Sequence, residues 1–415
     1  KKCFEGIYEV EDSEIWKIRT KLRKRLIEQV RKRISDPSAT NHYSPQQQVK
    51  IVKTLRDDVL TIGFARRFAT YKRAHLLFRG LDRLNEIVNN PEHPVQFLYA
   101  GKAHPADRGG QDLIKRIVEI SKMPQFIGKI VFVPNYDINL AKYLVQGVDI
   151  RMNTPTRPLE ASGTSGEKAV MNGVMHFSVL DGWWVEGYKK DAGWALPMER
   201  TYDDQNYQDE LDAATIYNII ENDITAKFYN ADKKLGYSKE WIRIIKNTIA
   251  KVACNFTTNR MLGDYIRQYY EPLYKRSCGL MANDFAIARE LAFWKKKIRR
   301  GWSQIEVVSA DKTNDMMRYS FELGMTTHAE LDLFVGDLNP EDIGVEDVTV
   351  TQDGKGKLHI HKHNTYVLEY CREGVAHFSL DIIPEQTGTY QIATRIFAKN
   401  DLLPHRQDFE LVKWL

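Results

Sequence analysis

The chain has 415 residues, with 60 basic and 55 acidic side chains giving a formal net charge of +5, and four cysteines. That length allows two to three domains around a large core. The diluted charge argues against a nucleic-acid partner, and the scattered cysteines (Cys3, Cys254, Cys278, Cys371), with no CxxC pair, argue against a disulfide scaffold or a metal module.

No apolar run approaches the length of a membrane span and no signal peptide is visible, so a reducing, cytoplasmic setting is expected. The chain begins at Lys1 without a methionine, already heading into a helix, and is expected to be part of a longer polypeptide.

The first expected element is a helix capped by Asp12-Ser13 and running to about Ile34, with Ile18, Leu22, Leu26, Val30 and Ile34 on one face. Its Lys- and Arg-rich face reads as solvated. Asp36-Pro37-Ser38 ends it. Residues 1–45 are thus a helix and linker.

Residues 46–300 alternate short apolar runs with helical stretches. The runs are Val59–Gly63, Val95–Tyr99, Ile130–Val133, Val148–Met152 and His176–Leu180. The helices between them are expected at about 72–89, 106–122, 137–146 and 165–173. Apolar strands alternating with helices indicate a parallel sheet covered on both faces, an α/β fold. Helices trail the sheet at about 210–229, 238–252, 256–276 and 281–299. Residues 301–415 change texture: expected strands at Ile305–Val308, Tyr319–Leu323, Glu330–Val335, Asp347–Thr351, Leu358–His361, Ala376–Ile383 and Gly388–Phe397, with turns at Asp353-Gly354 and Thr387-Gly388, describe an all-β sandwich.

Chemistry-bearing residues gather at the strand ends. Glu160-Ala-Ser162-Gly163-Thr164-Ser-Gly-Glu-Lys168 joins a carboxylate, hydroxyls, glycines and a lysine at a strand–loop–helix junction. Glycines let backbone N–H groups approach an anion, and a helix's first turn leaves those groups unpaired. Such a junction is a phosphate or sugar site, or a glycine-rich helix start kept for packing. Arg66-Arg67 and Lys72-Arg73 follow the first strand, where Arg offers a fork and Lys a point charge to phosphate. Tyr99-Ala-Gly101-Lys102-Ala-His104 and Val133-Pro-Asn-Tyr136-Asp137 follow the next two. Four junctions on one sheet edge make a site where open α/β sheets bind ligands.

With these words in order, residues 50–260 resemble the carboxyl-terminal half of α-glucan phosphorylases. The matching words are Arg67-x-x-x-Tyr71-Lys72-Arg73, Ala100-Gly101-Lys102-Ala103, Asn135-Tyr136, Glu160-Ala-Ser-Gly-Thr-x-x-x-Lys168, Asn172-Gly173 and Leu180-Asp181-Gly182. Asp181-Gly-Trp-Trp184, Gly336-Asp-Leu-Asn-Pro-Glu341 and Glu410-Leu-Val-Lys-Trp414 look like the short bacterial and archaeal branch. The chain departs from longer members at Ala69-Thr70, where they carry His-Glu, at Asp137, where they carry Arg, and at Ser165-Gly-Glu167, where they carry Gly-Asn-Met.

The resemblance implies one Rossmann-like domain of a two-domain GT-B architecture, followed by the β module. It implies retaining phosphorolysis of glycogen or maltodextrin, an α-1,4-glucan, by inorganic phosphate to glucose 1-phosphate, with pyridoxal 5'-phosphate as cofactor. Lys168 matches the lysine that forms the Schiff base. Arg66, Thr164 and Gly163 match contacts to the cofactor phosphate, and Tyr136 a tyrosine near its ring. Arg67 and Lys72 match the holders of the substrate phosphate, and Glu160, Ser162 and Gly163 the groups that bond the glucosyl unit. It further implies a missing amino-terminal domain as partner, so that this chain is expected to fold alone with little or no activity, and it admits a homo-oligomer. Two other readings stay open: a nucleotide-sugar glycosyltransferase such as a glycogen synthase, which would not need Lys168, and a non-catalytic glucan-binding fragment using aromatics among Trp302, Phe334, Tyr366 and Tyr390.

Overall fold

A computed structural model describes residues 2–37, 42–197, 202, 204–310, 323–352, 356–385, 387 and 390–415. The chain forms two compact units, Lys1–Asp264 and Tyr265–Leu415.

In the first unit six strands make one parallel sheet: β1 (Leu60–Ala65), β2 (Val95–Ala100), β3 (Ile130–Val133), β4 (Ile150–Asn153), β5 (Met175–Val179) and β6 (Trp194–Leu196). Five were expected from their apolar runs. The sixth is three residues long and leaves little periodicity to read. The order is β3-β2-β1-β4-β5-β6. The chain therefore winds outward from β1, returns past it, and winds the other way from β4. The β1/β4 boundary is the switch point at which doubly wound sheets open a crevice at their carboxyl ends.

Two apolar layers cover the sheet. On one side lie Leu84, Ile87, Ile117, Ile120, Ile216 and Trp241; on the other Leu26, Val30, Ile51, Leu140 and Leu144. The helix Asp12–Ile34 belongs to the second layer, but its buried stripe differs from the expected one. Ile18 is exposed, and Arg19 and Arg23 are buried beside Ile15, Leu26, Ile27, Val30 and Ile34. These two arginines correct the reading of a wholly solvated basic face. Arg19 donates to the carbonyls of Gln146 and Val148, and Arg23 pairs with Asp149 at 2.6 Å. Each is thus satisfied in the interior, where an unpartnered charge would be costly.

The expected helix at 72–89 is broken. Arg73 takes a left-handed conformation (φ 45°), leaving short turns at Thr70–Lys72 and Leu76–Phe78 before a helix at Leu81–Val88. Arg73 is held there by ion pairs with Asp209 at 3.0 Å and Asp212 at 2.7 Å. Tertiary pairing overrides local propensity at this point.

The second unit contains two four-stranded antiparallel sheets. One has the order β10 (Leu358–Thr365), β9 (Ile343–Gln352), β13 (Gln391–Ala398), β14 (Val412–Trp414); the other β11 (Val367–Arg372), β12 (Val375–Ile382), β8 (Thr327–Phe334), β7 (Glu306–Ala310). Alternating residues such as Ala329, Leu331, Leu333, Phe378 and Ile396 fill the core between them. The strand expected at Tyr319–Leu323 falls almost wholly outside the described residues, as do the Asp353-Gly354 turn and Gly388. Preceding the sheets, the helical run Glu271–Gly301 is interrupted at Ala282–Phe285. Of the aromatics weighed as sugar platforms, Trp302 and Tyr366 pack into this core, while Phe334 is exposed.

Candidate active site

The site is built where β1, β2, β4 and β5 end. Beyond β1 and β2 the sheet continues as a zipper: Arg66 N donates to Ala100 O at 3.1 Å and Phe68 N to Lys102 O at 2.9 Å. The loops after β4 and β5 are stitched to this edge. Thr156 N donates to Tyr71 O at 2.7 Å, Glu160 N to Asp181 Oδ2 at 2.9 Å, and Trp183 N to Ser162 O at 3.0 Å. These main-chain bonds, with the Asp181 carboxylate accepting from Glu160 N, fix Arg66, Lys72 and Glu160 relative to one another.

Their side chains form one buried cluster. Arg66 Nη2 donates to both Glu160 oxygens at 3.0 and 2.9 Å, and Lys72 Nζ donates to Glu160 Oε2 at 2.7 Å. Burial pushes the Arg66 guanidinium below its ordinary range, against the opposing pull of Glu160. Arg66 Nε and Nη1 are enclosed yet have no hydrogen-bond partner among the described residues. Lys72 also lies 4.6 Å from the Tyr71 ring centroid.

The glycine turn stands next to this cluster. Gly163 (φ 97°) is the residue before the helix Thr164–Met171, and no side chain caps that helix. Gly166 N turns back to Gly163 O at 3.0 Å, and the Thr164 and Ser165 N–H groups of the first turn, with no partner among the described residues, are left for an anion. Thr164 and Lys168 are four residues apart and share a helix face. Thr164, Ser162 and Lys168 are exposed. Gly166 lets this helix sit against the sheet, since a Cβ there would lie 2.7 Å from Trp183 Nε1 and 2.8 Å from His176 Cε1. Arg67 is exposed and has no ion-pair or hydrogen-bond partner among the described residues. Tyr136 is half-buried after β3. The following Asp137 caps the helix Ile138–Gly147 and pairs with Arg33. Lys102 and His104 point to solvent.

Three buried residues on or next to β4 and β5 were not singled out from the sequence, and one of them, Asp149, precedes β4 at the opposite end of the sheet from the site. Arg151 on β4 is enclosed beside Arg66 and Glu160, and burial together with Arg66 pushes it down to about 9. His176 is its parallel neighbour on β5, with its ring 5.2 Å from Trp183 and 4.9 Å from Trp184. Burial, then Arg151 and Arg66, push it down to about 3, so it is neutral. Asp149 accepts from Arg23 and from Thr61 N at 2.9 Å. The available signal was three ionisable groups in strand runs that otherwise read as fully apolar.

A phosphoryl group fits this set: two buried guanidinium groups with unused N–H donors, an uncapped helix start, and an exposed amine on the same helix. Residues 24–193 match the carbohydrate phosphorylase family, and residues 302–415 match the glycogen phosphorylase C-terminal domain. The chain belongs to the phosphorylase family. It is similar to a maltodextrin phosphorylase of Thermococcus litoralis, 35% identical over 99% of this chain and 47% of that protein. A glycogen phosphorylase of Aquifex aeolicus is 44% identical over 66% of this chain and 39% of its own. One of Mycobacterium tuberculosis is 35% identical over 83% of this chain and 40% of its own. The chain spans less than half the length of these phosphorylases. Among its described residues no helix is long and apolar enough to cross a membrane.

Proposed function

We propose that this chain carries the cofactor- and phosphate-binding half of an α-1,4-glucan phosphorylase that converts glycogen or maltodextrin and inorganic phosphate into glucose 1-phosphate. On this reading the sheet-bearing unit Lys1–Asp264 is one Rossmann-like domain of a two-domain GT-B enzyme, residues 301–415 are its β module, and an opposing domain completes the crevice. The observation that carries the reading is the buried Arg66–Glu160–Lys72 cluster beside an uncapped helix bearing Lys168.

Lys168 and Tyr136 are assigned to pyridoxal phosphate, with Arg66, Thr164 and the Gly163 turn at its phosphate. What the cofactor supplies when bound is that phosphate, as proton-exchange partner for inorganic phosphate, rather than an electron sink. The chain's own task is electrostatic. Two phosphates in contact repel, and cations in a water-poor crevice offset that repulsion far better than cations in bulk solvent. Arg67, being unpaired, is free to take the incoming phosphate. Lys72 is oriented toward the same edge by Glu160. Glu160 and Ser162, with the Gly163 amide, are assigned to the glucosyl hydroxyls.

The test supplies this chain with an amino-terminal half, pyridoxal phosphate, maltodextrin and phosphate, and follows glucose 1-phosphate by phosphorus NMR. Formation that depends on the cofactor supports the reading. Glucan extension from a nucleotide sugar, with no cofactor uptake, would replace it by the glycogen-synthase-like alternative.

A further inference from the structure

Arg151 stands in the middle of β4 with 3% of its surface exposed. Its Nη2 donates to the Ala65 carbonyl at the end of β1 and to Ser165 Oγ at 3.2 Å. Ser165 is the second residue of the helix Thr164–Met171. Arg151 therefore reaches the uncapped start of that helix from beneath, between the two strands at which the sheet order reverses. Its Nε and Nη1 are buried and have no hydrogen-bond partner among the described residues. The carboxylate that acts on it, Glu160, is already bonded to Arg66 and Lys72.

The buried cluster thus holds three cations, Arg66, Lys72 and Arg151, around one carboxylate. The remaining groups that face Arg151 do not correct the imbalance: Tyr136 is a phenol, Ser165 a hydroxyl, and His176 a neutral ring. A buried cation with unused donors is costly, and the cost is relieved when an anion enters and accepts from them. A phosphoryl dianion matches both the charge excess and the adjacent helix start.

We propose that Arg151 is a second buried anion-binding residue, which holds a phosphoryl dianion at the N-terminus of the helix Thr164–Met171 through its unused N–H groups. The proposal rests on the phosphorylase reading only for the source of that dianion, which is either the cofactor's phosphate or inorganic phosphate.

The experiment uses the 415-residue chain and two variants: Arg151→Met, which keeps the stem volume, and Arg151→Lys, which keeps the charge. Binding of pyridoxal phosphate and of pyridoxal is followed by absorbance. Binding of inorganic phosphate is followed by thermal midpoint against chloride at equal ionic strength. Arg151→Met is expected to weaken a phosphate-bearing probe by roughly 10–100-fold, the range for a charge-assisted hydrogen bond, with Arg151→Lys between it and the parent. Weaker pyridoxal phosphate with unchanged pyridoxal assigns the dianion to the cofactor. Weaker inorganic phosphate, with cofactor affinity unchanged, assigns it to the substrate. If Arg151→Met melts lower yet binds both phosphate probes like the parent, Arg151 only ties β4 to Ala65 and Ser165, and the proposal is wrong. Should Arg151→Met not fold, an Arg151→Lys chain that binds both probes like the parent overturns the proposal in the same way. Phosphate binding through Arg151 without uptake of pyridoxal phosphate would uphold the proposal and sink the phosphorylase reading.

Discussion

Gly101 and Arg66 meet backbone to backbone, with no room for a side chain between them. A Cβ on Gly101 would overlap the Arg66 carbonyl oxygen and lie 2.8 Å from the Phe68 ring, and the glycine's φ of 153° is one that other residues rarely adopt. The contact lets the loops after β1 and β2 continue the sheet and so fixes where Arg66 stands. Gly101→Ala is expected to cost roughly 2–4 kcal/mol from strain and overpacking together. Urea unfolding of the parent and variant chains checks this; a loss under about 0.5 kcal/mol would show that the loops yield.

Lys168 is expected to be the residue that captures pyridoxal phosphate. It lies one helical turn beyond Thr164 and is exposed, whereas the other lysine of the cluster, Lys72, is committed to Glu160. Borohydride reduction followed by peptide mapping should place the adduct on the peptide containing Lys168. An adduct on Lys72 or Lys102 would refute the assignment.

Arg66 and Arg67, adjacent in sequence, should respond to truncation in opposite ways. Arg67→Ala removes an exposed, unpaired side chain and should change stability by less than about 0.5 kcal/mol. In the two-part assembly it should still weaken phosphorolysis by roughly 2–4 kcal/mol, with the loss felt chiefly through phosphate. Arg66→Ala frees part of the Glu160 carboxylate inside the protein and should destabilise the fold as well. Unfolding curves and phosphate saturation, measured on both variants, separate the two roles. Equal destabilisation by both changes would contradict this division.

His176 should make the fold acid-sensitive. Its ordinary value is 6.5 and the folded value is about 3, so between these the unfolded chain binds a proton that the folded chain does not. Stability from this group is complete above about pH 6.5 and declines as pH falls toward 3, by about 1.4 kcal/mol per pH unit. His176→Phe keeps a ring between Trp183 and Trp184 and removes the titration. Its loss of stability from pH 7 to 4.5 should be about 2–3 kcal/mol smaller than the parent's. Parallel losses in the two chains would show that the ring is protonated in place.

Much of this was legible beforehand because apolar runs and glycine turns are local signals. Five of the six parallel strands, and the junctions carrying Arg66, Lys72, Glu160 and Lys168, followed from them. What could not be read were the partners of charges. Arg19 and Arg23 resemble their solvated neighbours Lys17, Lys21 and Lys24 until the helix is docked, and only then do Gln146, Val148 and Asp149 explain them. Arg73 belongs to a helical pattern that Asp209 and Asp212, more than 130 residues away, override. Arg151 and Asp149 were hidden in an apolar run because strand periodicity records burial but not pairing.

The arginines of the helix Asp12–Ile34 also determine where this polypeptide can be divided. Arg19 bonds the carbonyls of Gln146, Val148 and Asn172, just ahead of β4 and β5, and Arg23 neutralises Asp149 within the interior. A boundary drawn at Ser44, where a new helix is capped and the strand–helix alternation begins, would look tidy on paper. It would leave a buried aspartate without its cation and three carbonyls without their donor, directly beneath the strands that carry Arg151 and His176. A shortened version that begins at Asp12 retains all of these ties.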